Sequence, residues 1–499
     1  MPIRCLTVIF YLLCASALVY GQAASEKLPA PKADEVTTAK KLIADVYKKD
    51  YDGAKSPAEQ KKLASKLLKD GAQSTPGSAE QFALFEVAKN ICIKIGDIDG
   101  ALAAAQQTAG TFQIDWSTIQ KQVLNEIAPL AKLPAERQLL VRYLNIAYTE
   151  SLQADKLRDA ADLLELAEST AKKSSNLAAV KRWTRRKETL RQRTAAREQM
   201  QQALALLEQK PVDPEANQTC GEYLCFYLDD WNRGLPMLAL GPPSALKKIA
   251  EREIQGAKSP ADRLALADAW YDEAHLRDGA AKVAILELSE SHYRAALEGQ
   301  TGLAKRKVEN RLEELERNGE PIAICEWVEL VDLARLGKDT KPGIWRREMG
   351  ALRTDYDDGA RVVFPVIADG SFELEVVSTR HRGPDQYAVG LSLAANGSGF
   401  IYDCLAGQES SLGEKRIAPA NLLNGKPHQL SLVLDRKDGN CACVVRLDDK
   451  PYFQWSGPAD SLKPVAANRS CLAIQTWKTD LVLHSVRFRL KNGNAWLVD

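Results

Sequence analysis

Apolar residues recur every three to four positions from about residue 35 to 318, and every second position in short runs from about 321 onward. The first period belongs to helices that bury one stripe, the second to strands that bury one face. The change of period predicts a multidomain α plus β chain, an α-helical repeat arm followed by an antiparallel β-sandwich. The clearest helical unit spans 78–110. Phe82, Phe85, Ala88 and Ile91 make one face, Gly96-Asp97 breaks the helix, and Ala101, Ala104 and Ala105 offer a small-residue face to the returning helix. A second antiparallel pair is expected at 137–152 and 157–171, and 213–227, 261–274 and 283–297 continue the pattern. In the β region, 371–378, 429–435 and 441–447 alternate strictly. Asp438-Gly439-Asn440 supplies a hairpin turn, Leu447-Asp448-Asp449-Lys450 opens another toward 452–455, and 481–490 closes the domain.

One early cation, Arg4, precedes an apolar run from Cys5 to Val19 and the small residues Gly21, Ala23 and Ala24. This reads as a secretory signal peptide over 1–23, too short to span a bilayer, which takes roughly 20 apolar residues. Residues 24–36 read as a flexible leader, 37–210 as a helical repeat region, 211–318 as a second helical region and 321–499 as the sandwich. The expectation is a secreted protein, or one of the periplasm or cell envelope, with no transmembrane anchor.

Charge adds little. Lys plus Arg number 67 against 66 Asp plus Glu, a net +1, so no broad field steers a polyanion. The basic run Lys181, Arg182, Arg185, Arg186, Lys187, Arg191, Arg193 and Arg197, with Trp183 inside it, reads as a solvated helix rather than a nucleic-acid surface, and no nucleic-acid partner is expected. Beyond the signal lie Cys92, Cys220, Cys225, Cys325, Cys404, Cys441, Cys443 and Cys471. Export permits disulfides, with Cys404 and Cys471 as candidates, yet Cys441 and Cys443 share a strand face with Val445 and Leu447 and fit equally as small core hydrophobes.

Helix pairs of this size with Gly-Asp turns resemble tetratricopeptide-like repeats, without the full signature. The stretch Asp213-Pro214-Glu215-Ala216-Asn217, with Gly221 to Phe226, Asp230-Trp231-Asn232-Arg233-Gly234-Leu235-Pro236, 264–271 and 295–305, resembles a helical region of secreted planctomycete-type proteins. That resemblance implies no catalytic role. Asp230 is expected to cap the helix begun at Trp231, and Trp231 and Trp270 to pack between helices. In the β region, 370–376, Asn424-Gly425-Lys426-Pro427-His428, the 447–455 hairpin, 474–477 and 483–486 are similar in order to concanavalin A-like jelly rolls of the laminin-G and 3-keto-disaccharide hydrolase type. Such a family includes sugar-binding modules, enzymes and structural domains, so the fold alone does not select among them.

Sugar binding needs an exposed aromatic beside polar groups, and Trp455, Trp477 and Tyr387 are the carbohydrate-binding candidates, with core packing the competing role for the two tryptophans. A hydrolase would need paired carboxylates. Glu373 and Glu375, two apart on one strand face, are the candidates, although Val377 stands where a third acid of the glucanase pattern would fall, and a solvated face explains both acids. His484, in phase with Val482, Val486 and Phe488, is expected in the core. No catalytic motif, His-x-x-x-His pair, Cys-x-x-Cys or EF-hand loop is present, so no catalytic residue, metal site or cofactor is assigned, a loop calcium staying open. Asn217, Asn396 and Asn468 begin glycosylation sequons. The expected function is a non-enzymatic binding or adhesion protein, its sandwich meeting a polysaccharide, glycan or envelope protein and its helices meeting protein partners. A glycan-active hydrolase and a structural envelope component are the alternatives.

Overall fold

The computed structural model describes residues 27–499 apart from 174–176, 317–318, 341, 349, 356–358, 383–388, 393–398, 404–408, 413–414, 419–420, 459–470, 477 and 498–499. The signal peptide expected at 1–23 lies outside the described residues. The chain forms two compact units, 1–136 and 137–499. The first holds α1 (Ala33–Val46), α2 (Lys48–Gly53), α3 (Pro57–Gln73), α4 (Ala79–Lys94), α5 (Ile98–Thr111) and α6 (Trp116–Ile127). Ser78 accepts from the Gln81 amide to start α4, Gly96 at φ +74° ends it, and Phe85, Ala88, Ala101, Ala104 and Ala105 are buried.

The second unit begins with α7 (Pro134–Gln153), α8 (Leu157–Lys173), α9 (Leu177–Leu207), α10 (Pro214–Leu228), α11 (Trp231–Ala239), α12 (Ala245–Gln255), α13 (Pro260–Ala274), α14 (Gly279–Leu297) and α15 (Gly302–Glu316). Asp213 and Asp230 cap α10 and α11, accepting from the amides of Ala216 and Arg233. Gly221 and Gly234 let α10 and α11 touch: a Cβ on Gly234 would sit 3.0 Å from the Gly221 carbonyl oxygen and 3.1 Å from the Cys225 nitrogen. Trp231 packs edge-on against Phe226 and Trp270 at 5.9 and 5.5 Å, and Trp270 is fully buried, so both tryptophans serve packing.

On α9 Lys181, Arg185, Lys187 and Arg191 are exposed, as a solvated helix requires, while other arginines of the run are engaged. Arg193 donates to the Leu152 carbonyl and to Asp155, Arg197 pairs with Asp155, and Arg186 lies 4.8 Å over the Trp183 ring and 5.4 Å from Tyr148. Asp155 also accepts from the Tyr223 hydroxyl at 2.6 Å, so one carboxylate in the α7–α8 turn ties α9 and α10 together.

The remaining chain forms an antiparallel sandwich. Its strands are β1 (Glu320–Pro321), β2 (Trp327–Glu329), β3 (Trp345–Glu348), β4 (Ala351–Thr354), β5 (Ala360–Ala368), β6 (Ser371–Arg382), β7 (Val389–Ser392), β8 (Gly399–Asp403), β9 (Glu409–Leu412), β10 (Lys415–Ile417), β11 (Pro427–Lys437), β12 (Asn440–Leu447), β13 (Lys450–Pro458), β14 (Cys471–Thr476), β15 (Asp480–Asn492) and β16 (Ala495–Leu497). One sheet runs β1-β16-β5-β14-β7-β8-β9-β10, the other β13-β12-β11-β6-β15-β4-β3, with β2 also paired to β15. Alternation sets the inner faces: Phe372, Leu374 and Val376 of β6, Leu430, Leu432 and Leu434 of β11, and Cys443 and Val445 of β12 meet Phe364, Val366 and Ile474 of the opposite sheet. Cys441 and Cys443 are buried free thiols, while the side chains of Cys404 and Cys471 lie outside the described residues. Asp438 and Gly439, both at positive φ, turn β11 into β12, and Asp448 and Asp449 do the same for β12 and β13.

One strand departs from simple alternation. Leu481 and Leu483 face the core, then Val486, Phe488 and Leu490, so β15 changes phase through a register shift between Leu483 and Ser485. His484 is thereby turned out and is exposed, where strict alternation from Val486 had placed it in the core.

Among the described residues of the second unit, the sandwich's apolar cluster runs from Ile322 to Leu497 and draws on no α-helix, another runs from Cys225 to Leu315 in α10–α15, and a small one joins Ala203, Ala216 and Cys220. Polar side chains of α7, and an ion pair with α14, reach the sandwich. Arg142 of α7 donates to Asp332 at 2.7 Å and to the carbonyls of Gly350 and His484, Asn145 donates to the Asp332 carbonyl, and Gln153 to that of Leu336. Lys338 pairs with Glu287 of α14 at 2.6 Å.

Candidate functional site

The candidate carboxylates lie on the outer face of β6, because Phe372, Leu374 and Val376 claim the inner face. Register with β15 sets Glu373 opposite Arg489 and Glu375 opposite Arg487, and each acid is ion-paired with that arginine. The two guanidiniums lie 4.4 and 4.9 Å over the Trp327 ring of β2. The hydrogen bond to Glu373 and its charge raise Arg489 above the ordinary arginine range. A catalytic acid is kept protonated by an apolar pocket or a second carboxylate. Here each carboxylate instead meets a permanent cation, and the cation covers the only aromatic ring described beside it.

Trp455 sits on β13, the outermost strand of its sheet, opposite Cys443. Because paired residues share a face, its indole points inward like Cys443; it is half-buried and packs against the sandwich core. One part of the indole is held by the core and one part stays accessible at the edge of the sheet. Nearby, the Tyr452 hydroxyl donates to the Ala418 carbonyl at 2.8 Å and accepts from the Ser410 hydroxyl at 2.6 Å, joining β13 to β9 and to the segment after β10. Trp477 and Tyr387 lie outside the described residues.

The structure also contains an aspartate–histidine pair that no sequence pattern signalled. His428 of β11 bonds Asp448 through Nδ1 at 2.7 Å, and its Nε2 accepts from the Leu423 amide at 3.1 Å. The amide fixes the proton on Nδ1 and occupies the nitrogen a general base would need. Buried Arg380 donates to Asn424 at 2.7 Å and to the Leu422 carbonyl, so these groups fasten the 421–425 turn to the sheet. Among the described residues no group of three or more His, Cys, Asp or Glu side chains is placed to hold a metal ion. No described helix is long and apolar enough to cross a membrane.

No protein-family model and no curated protein matches the chain. Among solved structures, the Emp47p carbohydrate recognition domain is 11% identical over 35% of this chain and 98% of its own, with a TM-score of 0.25. Peanut lectin in complex with a nine-residue peptide is 10% identical over 35% and 99%, with a TM-score of 0.25. A Bacillus subtilis protein of unknown function with a galectin-like fold is 12% identical over 36% and 99%, with a TM-score of 0.26. The likeness concerns a minor part of the chain.

Proposed function

We propose that this protein is an exported, non-enzymatic binding or adhesion protein whose sandwich, 321–499, meets a glycan or an envelope protein and whose helices meet protein partners. The observation that carries the reading is the pairing of Glu373 with Arg489 and Glu375 with Arg487. It leaves the one carboxylate pair considered for hydrolysis without an acid and without an open aromatic platform. The filled Nε2 of His428 removes the other group that resembles catalytic machinery. Trp455, half-buried at the outermost strand, is the described aromatic best suited to lie against a sugar ring, with Trp477 and Tyr387 as further candidates. Export rests on the sequence of residues 1–23.

The test is retention of the full chain on soluble and insoluble polysaccharides, with and without calcium, while reducing ends are followed. Binding without sugar release, weakened several-fold by Trp455→Ala and unchanged by Glu373→Gln, is the expected result. Sugar release abolished by Glu373→Gln or Glu375→Gln would establish the hydrolase instead.

A further inference from the structure

Cys441 and Cys443 stand two apart on the inner face of β12, the first 3% exposed and the second fully buried, both as free thiols. Same-face residues of an extended strand lie roughly 7 Å apart with their Cβ atoms side by side, whereas a disulfide needs its Cβ atoms at about 3.5–4.5 Å. The pair is therefore adjacent in the core and held too far apart to join. β12 cannot buckle to close that gap without leaving both neighbours: Cys441 stands opposite Arg436 of β11 and Gly457 of β13, and Cys443 opposite Leu434 and Trp455. Among the described strands β13 is outermost and pairs with β12 alone. Whatever lifts β12 from the sheet thus releases β13, and Trp455 with it.

We propose that Cys441 and Cys443 make a redox-sensitive checkpoint on the sandwich: joined to each other in an unfolded chain, they keep β12 and β13 off the sheet until the bond is reduced, while the folded sandwich withholds both thiols. The oxidant is a small-molecule disulfide. One cysteine thiolate attacks it and expels the first small thiolate; the neighbouring cysteine then attacks the mixed disulfide and expels the second. Two protein thiols are oxidised, one disulfide is reduced, and the two protons pass to the small thiols released. Folding closes this route in two ways. The sheet shields both sulfurs, and burial pushes the Cys443 thiol up to about 12 and raises that of Cys441 against the pull of Arg436, leaving little attacking thiolate near neutrality. In the unfolded chain both return to the ordinary thiol range of about 8.5. The effect on folding stands on the strand geometry alone; its consequence for function, loss of Trp455 from the sheet, rests on the binding role proposed above.

The experiment uses the full chain, unfolded in urea with glutathione disulfide, and isolates in urea the species whose one internal bond maps to 441 and 443 by mass spectrometry. On dilution, the β12 and β13 amides of this species are expected to exchange with deuterium at least about a hundredfold faster than those of reduced chain carried through the same steps. Dithiothreitol should restore their protection. In the folded chain, glutathione disulfide should leave both thiols unmodified over the time that oxidises the unfolded chain, and added urea should raise their loss in step with unfolding. Failure of the bond to form in urea, native protection in the bonded species, or bond formation at equal rates in folded and unfolded chain overturns the proposal. All of these are read without a glycan, so they stand apart from any failure of the binding role.

Discussion

Replacing Asp155 should cost more stability than any other exposed-turn substitution in the helical part. Its carboxylate accepts from the Tyr223 hydroxyl at 2.6 Å and from Arg193 at 3.0 Å, pairs with Arg197 at 3.0 Å, and its backbone sits at φ +54°. Tyr223 and Arg193 are largely buried, so Asp155→Ala orphans a phenol, about 1–2 kcal/mol, and a guanidinium, about 1.5–3 kcal/mol. The more exposed Arg197 pair adds less than about 1 kcal/mol. Alanine in the left-handed region adds roughly 1 kcal/mol. Shared partners make these losses overlap, which brings the sum to about 4 kcal/mol. Urea unfolding followed at 222 nm checks it. Asp155→Asn, which keeps an acceptor and tolerates the turn, should lose about half as much, and Tyr223→Phe about 1 kcal/mol. A loss below about 1 kcal/mol for Asp155→Ala would show that the carboxylate does not join α8, α9 and α10 as described.

Gly234→Ala should destabilise the α10–α11 pair by about 1–3 kcal/mol in thermal unfolding despite the better helix propensity of alanine, and adding Cys225→Ala should recover only part, because the Gly221 carbonyl and the Cys225 backbone still block the methyl group. Glu375→Gln should change stability by less than about 1 kcal/mol in urea unfolding, since its arginine is nearly half exposed. Expressed in a host that glycosylates secreted proteins, the chain should carry no glycan on Asn217, whose side chain is 2% exposed and donates to the carbonyls of Pro211 and Asp213; mass spectrometry of that peptide decides it. Burial, helped by Asp155, raises the Tyr223 hydroxyl to about 12, so its share of stability is complete below pH 10 and disappears as the pH rises from 10 to 12; burial also raises Tyr47, Tyr271 and Tyr293, so an alkaline titration followed by tyrosine absorbance should show several late groups, one fewer in Tyr223→Phe.

Local patterns carried most of the architecture. The alternation of β6, β11 and β12, the Asp438-Gly439 turn, the Asp213 and Asp230 caps and the packing roles of Trp231 and Trp270 all depend on residues within a few positions, or on volume, and were legible. His484 was misplaced because a bulge is set by the partner strand, and one extra residue reverses every side chain beyond it. The basic run of α9 is solvated at Lys181, Arg185, Lys187 and Arg191, as its composition suggested; the engagement of Arg193, Arg197 and Arg182 was not legible because their counter-charges, Asp155 and Glu326, lie far along the chain. For the same reason nothing in 373–375 announced the arginines at 487 and 489.

Helix α7 is packed on two sides: Leu140, Tyr143, Leu144, Ile146 and Ala147 are buried, and Arg142, Asn145 and Gln153 reach the sandwich. Arg142 and Asn145 are consequently as restricted as the apolar positions, and a change at either should be tolerated poorly. In the terms of domain shuffling, the piece that can be moved intact into another protein is not the run of strands alone. It is the strands together with the helix that neutralises Asp332, and a graft that cuts at residue 320 would carry an uncovered acid into its new setting.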